Sequence, residues 1–95
     1  MNINEIPFIY IKKAKYKISK YEYEKAILLY SLAINICPYQ KEIYWLRGVA
    51  KTNLNKHKEA LEDLKKYKEL NEKENLFEIL KSEVSEKKKE LEDES

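Results

Sequence analysis

Few side chains in this sequence have the types and spacing that covalent or metal chemistry needs. His57 and Cys37 are the sole histidine and cysteine. They stand far apart with no ligand motif around them, so no metal site and no cofactor is expected. A glycine-rich phosphate loop is excluded, because Gly48 is the one glycine. No Ser-His-Asp or Cys-His arrangement has supporting context. Adjacent acids such as Glu62 and Asp63 read as part of a solvated helix face. No catalytic residue is assigned, and the chain is not read as an enzyme. Lysines and eight tyrosines are the raw material for stacking bases and meeting phosphates. Yet Tyr10, Tyr30 and Tyr44 fall at apolar helix positions and acids are interleaved throughout, so nucleic-acid binding is disfavoured. His57 is expected to pack near a turn, and Cys37, just before Pro38, to be structural. A lone cysteine forms no internal disulfide, which fits a reducing, cytoplasmic setting.

The elements that would position these residues are helical. At 95 residues, with 38% charged and 43% hydrophobic side chains, the chain suits one small soluble domain. Abundant Lys, Glu, Leu and Ala with few Gly and Pro point to an all-α fold. No apolar run approaches the roughly 18 residues of a membrane span, and the start of the chain lacks the pattern of a secretory signal. The charge is uneven. Residues 1–38 carry six Lys against three Glu, while residues 75–95 carry four Lys against seven acids. That contrast reads either as a solvated helix end or as self-complementary electrostatics.

The periodicity predicts a first helix from about Ile6, capped by Asn4 with Pro7 in its first turn. Lys20-Tyr21 marks a turn, and a second helix runs from about Glu22 to Ile36 until Pro38 ends it. A third covers roughly Gln40 to Asn53. A fourth runs from about Lys56 to Leu70, with Ala60, Leu61, Leu64, Tyr67 and Leu70 on its apolar face. Asn71 suits a helix end. Asn75 with Glu78 suits the start of a last helix presenting Leu76, Phe77, Leu80, Val84 and Leu91.

The chain repeats itself at an offset of 34 residues. Ile9 aligns with Ile43, Tyr10 with Tyr44, Ala14 with Gly48, and Lys17 with Lys51. Ala26 aligns with Ala60, Ile27 with Leu61, Tyr30 with Leu64, and Ile36 with Leu70. Small residues in the first helix and near the start of the second let the two approach closely. Each helix pair then has to stack on another to bury its apolar face.

This pattern resembles the tetratricopeptide repeat. Residues 7–40 supply Tyr10, Ala14, Ala26, Tyr30, Ala33 and Pro38 at the corresponding places, and residues 41–74 supply Tyr44, Gly48, Ala60 and Leu64. The departures are Lys13 and Arg47 for the usual Leu, Lys17 and Lys51 for the usual Tyr, Tyr67 for a small Ala, and Glu72 for the closing Pro. The resemblance implies a single domain over residues 1–95. It would be a right-handed array of two antiparallel helix hairpins with a C-terminal capping helix over about 75–92.

The resemblance also implies a function. In this family the first helix of each pair lines a concave groove that binds a partner peptide or helix. The carried-over groove positions are Phe8, Ile11, Lys12, Lys15 and Ser19, then Glu42, Trp45, Leu46, Val49, Thr52 and Asn53. Trp45, Leu46 and Val49 make an apolar patch of the kind that acts as a hot spot. The expected role is a non-catalytic adaptor or scaffold binding a protein partner. The alternative is a homodimer, or a larger self-assembly, formed over the same face or through the open repeat ends. A chaperone-tail clamp is not expected, because Ile11, Lys15 and Leu46 stand where that clamp carries Lys, Asn and Asn.

Overall fold

The computed structural model describes residues 5–94. They form four helices and no strand: α1 (Ile6–Ser19), α2 (Tyr23–Ile36), α3 (Lys41–Asn53) and α4 (His57–Glu94). The expected Asn4 cap lies outside the described residues. Pro7 sits in the first turn of α1, where its missing N–H costs nothing, and its side chain is buried. Each helix packs on its neighbours in sequence, α1 on α2, α2 on α3 and α3 on α4. Cross-contacts show that α3 and α4 run antiparallel. Lys51 reaches Asp63, Trp45 meets Tyr67, and Lys41 reaches Glu74.

The two tight connections have the same backbone bonding, one repeat step apart. After α1, the N–H groups of Tyr21 and Glu22 donate to the carbonyls of Ile18 and Lys17 at 3.0 and 2.9 Å. After α3, those of Asn55 and Lys56 donate to Thr52 and Lys51 at 3.0 and 2.9 Å. This is the six-to-one and five-to-two pairing of a Schellman end. It requires a left-handed residue, and Tyr21 and Asn55 take it at φ 61° and 60°. Asn tolerates that region better than Tyr, so the first turn stores the greater strain.

Small residues decide how closely the helices approach. Ala14, Ala26 and Ala33 are fully buried and Ala60 nearly so. Tyr30 and Ile43 are the largest apolar side chains wholly inside. Tyr44 is buried between α2 and α3, and its hydroxyl donates to the Pro38 carbonyl at 2.8 Å, pinning the connection.

Three expectations are corrected. The predicted interruption between Asn71 and Asn75 is absent, because α4 is one helix of 38 residues. Asn carries only a modest helical penalty, and Leu70, Glu72, Lys73 and Glu74 around it favour the helix. Pairs four apart, Lys68–Glu72 and Lys73–Glu69, span the site. Lys41 of α3 also holds it, donating to Asn71 Oδ1 at 2.7 Å and pairing with Glu74. A helix of this length measures about 57 Å, which sets the 62 Å long dimension of the molecule. The second correction concerns Leu61, which is 53% exposed rather than on the packed face. Third, His57 is exposed at the first position of α4 and does not pack.

Two predictions follow from this packing. A Cβ added at Gly48 would meet the Ala60 carbonyl and Asp63 Cβ at 3.4 Å and Leu64 Cδ2 at 3.5 Å. That is ordinary contact, so Gly48→Ala should stabilise the fold by up to about 1 kcal/mol through helix propensity. Gly48→Leu should destabilise it by about 1–3 kcal/mol through overpacking. Urea denaturation followed by circular dichroism reads both. The second prediction concerns pH. Burial raises the Tyr30 phenol above its usual range. Burial also raises Tyr44, against a partial offset from Arg47. A raised phenol contributes stability that is complete below its unfolded value of about 10 and is lost as pH climbs through the folded value. The thermal midpoint should therefore hold to about pH 10 and fall above it, and Tyr30→Phe should flatten that fall.

Candidate binding groove

One stripe of α3 and one of α1 face each other across a groove. On α3 the stripe is Glu42, Trp45, Leu46, Val49 and Asn53, spaced three and four apart as a helical face requires. On α1 it is Lys15 and Ile18. The groove consists of two adjoining hollows of about 340 and 220 Å³ that share Lys15, Trp45 and Leu46. Tyr30 and Ala50 floor the smaller one, and Tyr67 of α4 walls the larger.

Trp45 is the centre of the site. Its side chain is 48% exposed, although a tryptophan on a well-packed hairpin would ordinarily be covered. It leans on Tyr67 with ring centroids 5.4 Å apart and planes tilted by 55°, an arrangement favourable for an aromatic pair. Tyr67 stands one repeat step after Ala33, which is fully buried. A large ring at a position built for a methyl group is turned outward against Trp45. Val49 is 44% exposed beside it, and Leu46 is half-buried against the core. At the far end, the Asn53 carboxamide nitrogen donates to the Val49 carbonyl at 3.0 Å. Its oxygen meets no donor among the described residues.

The structure brings together Lys15, Glu42, Trp45, Leu46, Val49 and Asn53 of the anticipated groove residues. Others stand elsewhere. Ile11 is half-buried against the core. Phe8 is 62% exposed but lines neither hollow. Thr52 is exposed outside the groove, its hydroxyl donating to the Gly48 carbonyl at 2.9 Å. Lys12 lines a different hollow on the opposite side of α1. Tyr67 and Ile18 were not anticipated as lining residues. The signal for Tyr67 was its size at a small-residue position.

Behind the groove lies a buried ionic clamp that the sequence did not disclose. Asp63 is only 4% exposed, not on a solvated face as expected. Arg47 grips it with two bonds, Nε to Oδ2 at 2.9 Å and Nη2 to Oδ1 at 2.6 Å. Lys51 Nζ adds a third contact at 3.0 Å. The remaining guanidinium nitrogen donates to Ser31 Oγ at 3.1 Å, and Ser31 in turn donates to the Ile27 carbonyl. The guanidinium also lies 5.8 Å from the Tyr44 ring centre. Three helices are thereby tied to one carboxylate, and every buried polar side-chain atom among the described residues has a partner. Such bidentate charge-assisted pairs are directional, so the clamp fixes the rotation of α3 that presents Trp45 to the groove.

Cys37 is half-buried at the end of α2. No helix among the described residues is long and apolar enough to cross a membrane. No protein-family profile, curated protein or solved structure matches this chain.

Removing one member of the clamp strands a buried charge. Asp63→Ala should cost about 3–5 kcal/mol in urea unfolding. Arg47→Leu combined with Asp63→Leu should recover most of that loss, because a buried pair replaced by apolar groups is often neutral. Lys51→Met completes the replacement, because the Lys51 side chain is only 12% exposed and would otherwise be left without Asp63.

Proposed function

We propose that the chain is a tetratricopeptide-type pair of helix hairpins and that its groove holds a protein partner, as a non-catalytic adaptor or scaffold module. The observation that carries this reading is the half-exposed Trp45 stacked on Tyr67 at the groove mouth, with Val49 beside it. Tryptophan is among the residues enriched at interface hot spots, where truncation costs about 2 kcal/mol or more of binding. The repeat assignment draws support from the matching turns at Tyr21 and Asn55 and from the buried small residues at equivalent steps. The groove suits the apolar face of a helix or an extended peptide, with Lys15 and Glu42 on the rim to orient it. A soluble, cytoplasmic setting accords with the lone cysteine.

The test uses affinity capture with the intact chain, mass spectrometry of what is held, and direct titration of the captured segment by Trp45 fluorescence. Trp45→Ala and Tyr67→Ala should each weaken capture by roughly thirtyfold while circular dichroism stays unchanged. Sizing should show the same mass for wild type and Trp45→Ala. A loss of mass in that variant would mean that a second copy covers the groove. Capture and mass both indifferent to Trp45 would end the groove reading.

A further inference from the structure

The side of α1 turned away from the groove is open. Ile9, Lys12, Lys13, Tyr16, Lys17 and Leu29 line a hollow of about 650 Å³ there. One repeat step on, the matching side of α3 is closed. Ile43 and Ala50, the counterparts of Ile9 and Tyr16, are fully buried, whereas Tyr16 is 60% exposed. Arg47, the counterpart of Lys13, reaches Ser31 of α2. The molecule thus contains its own template: what α2 does to α3, nothing among the described residues does to α1.

The charges differ in the same sense. Asp63 neutralises Arg47 and Lys51, but its counterpart beside Lys13 and Lys17 is Leu29. Lys17 finds Glu22 at 3.2 Å. Lys12 and Lys13 have no ion-pair partner among the described residues. The Lys17 and Lys20 ammonium groups flank the Tyr16 ring at 5.9 and 5.6 Å. A helix fitted to this edge would carry an apolar stripe and flanking carboxylates.

The chain carries such a helix. Beyond Glu78, where it last shares a hollow with Tyr39, α4 projects from the body, and every residue from Glu72 to Glu92 is exposed. Leu76, Leu80 and Val84 recur four apart along one face at 58%, 49% and 66% exposure. Glu83, Glu86 and Glu90 line that stripe against one cation, Lys87, and Glu83 and Glu90 have no ion-pair partner among the described residues. A helix of about 20 residues that is exposed along its whole length is only marginally stable in water. It is also continuous with the packed half of α4, whose main packing is against α3, so a straight α4 does not fold back over its own α1.

We propose that the C-terminal half of α4 docks on the open α1–α2 edge of a second copy of this chain. Leu76, Leu80 and Val84 enter the hollow, and Glu83 and Glu90 meet Lys12 and Lys13. This contact is independent of the groove.

Charge exchange tests it with the full-length chain. One variant carries Lys12→Glu and Lys13→Glu, the other Glu83→Lys and Glu90→Lys. All four side chains are exposed, and circular dichroism checks that both variants fold. In sedimentation, wild type should self-associate, more weakly as salt rises. Each variant alone should weaken association by about tenfold or more, since like charges then oppose. Mixing the two variants should restore it, because each edge then meets a complementary tail. Trp45→Ala should leave it unchanged, which separates this contact from the groove. A monomeric wild type overturns the proposal. So does a lysine-edge variant that associates as wild type does, which would mean that the tails pair with each other. Failure of the mixture to restore association, or a basic edge whose measurable ligand is a single-stranded RNA oligomer and not a second copy, also overturns it.

Discussion

Asp63 is the carboxylate on which the arrangement of the body turns. It belongs to α4, yet both of its oxygens are taken by cations of α3, and through Arg47 it reaches the hydroxyl of Ser31 on α2. A buried ion pair contributes little net stability against an apolar core of the same volume, and its strength lies in geometry. The guanidinium fork accepts a carboxylate in one plane, so the rotation of α3 about its axis is set within narrow limits. That rotation puts Gly48 against the backbone of Ala60, Tyr44 against Pro38, and Trp45 at the groove. Loosening the clamp would leave the helices in place and the groove without a defined wall.

The helical class and three of the four helices were legible in the sequence within about a residue, because Pro38, the turn residues and the 3.6-residue apolar spacing act locally. The small residues at the helix contacts were legible too, since their sizes recur at a fixed step. Other features depend on what lies across the fold. Asn71 looks like a helix end in isolation, and the Lys41 ammonium on another helix adds to the local ion pairs that keep the chain helical through it. Asp63 looks solvated beside Glu62, because its two partners are Arg47 and Lys51 on a different helix. At the site, Trp45, Leu46, Val49, Asn53 and Lys15 came from positions that the tetratricopeptide resemblance implies. Lys12 was misplaced because the helical step carries it to the other side of α1. Tyr67 was recognised as too large for its position, but where the ring would go depended on Trp45.

The two hairpins thus share a backbone and differ in what they do with it. Their turns match bond for bond and their small residues are buried alike. The side facing the preceding helix does not match. In the second hairpin it is a closed polar junction, two cations and one acid under α2. In the first it is two lysines over a leucine, open to solvent. The second arrangement is satisfied within one chain, and the first is not.

Helices that pack in sequence order leave the first and the last each short of one neighbour. This chain has an exposed apolar layer at both. The α1 edge presents cations around an apolar floor, and the far end of α4 presents an apolar stripe lined by three acids against the single cation Lys87. If the exposed groups at the two ends were merely solvated, nothing would require their charges to be opposite. Opposite charge on two apolar surfaces of one chain is the condition under which copies attract at those surfaces and repel in the like-to-like orientations. The groove carries one Lys and one Glu on its rim and has no such bias. The polarity of the ends and the neutrality of the groove therefore keep the two proposed contacts separate, one between copies and one with a partner.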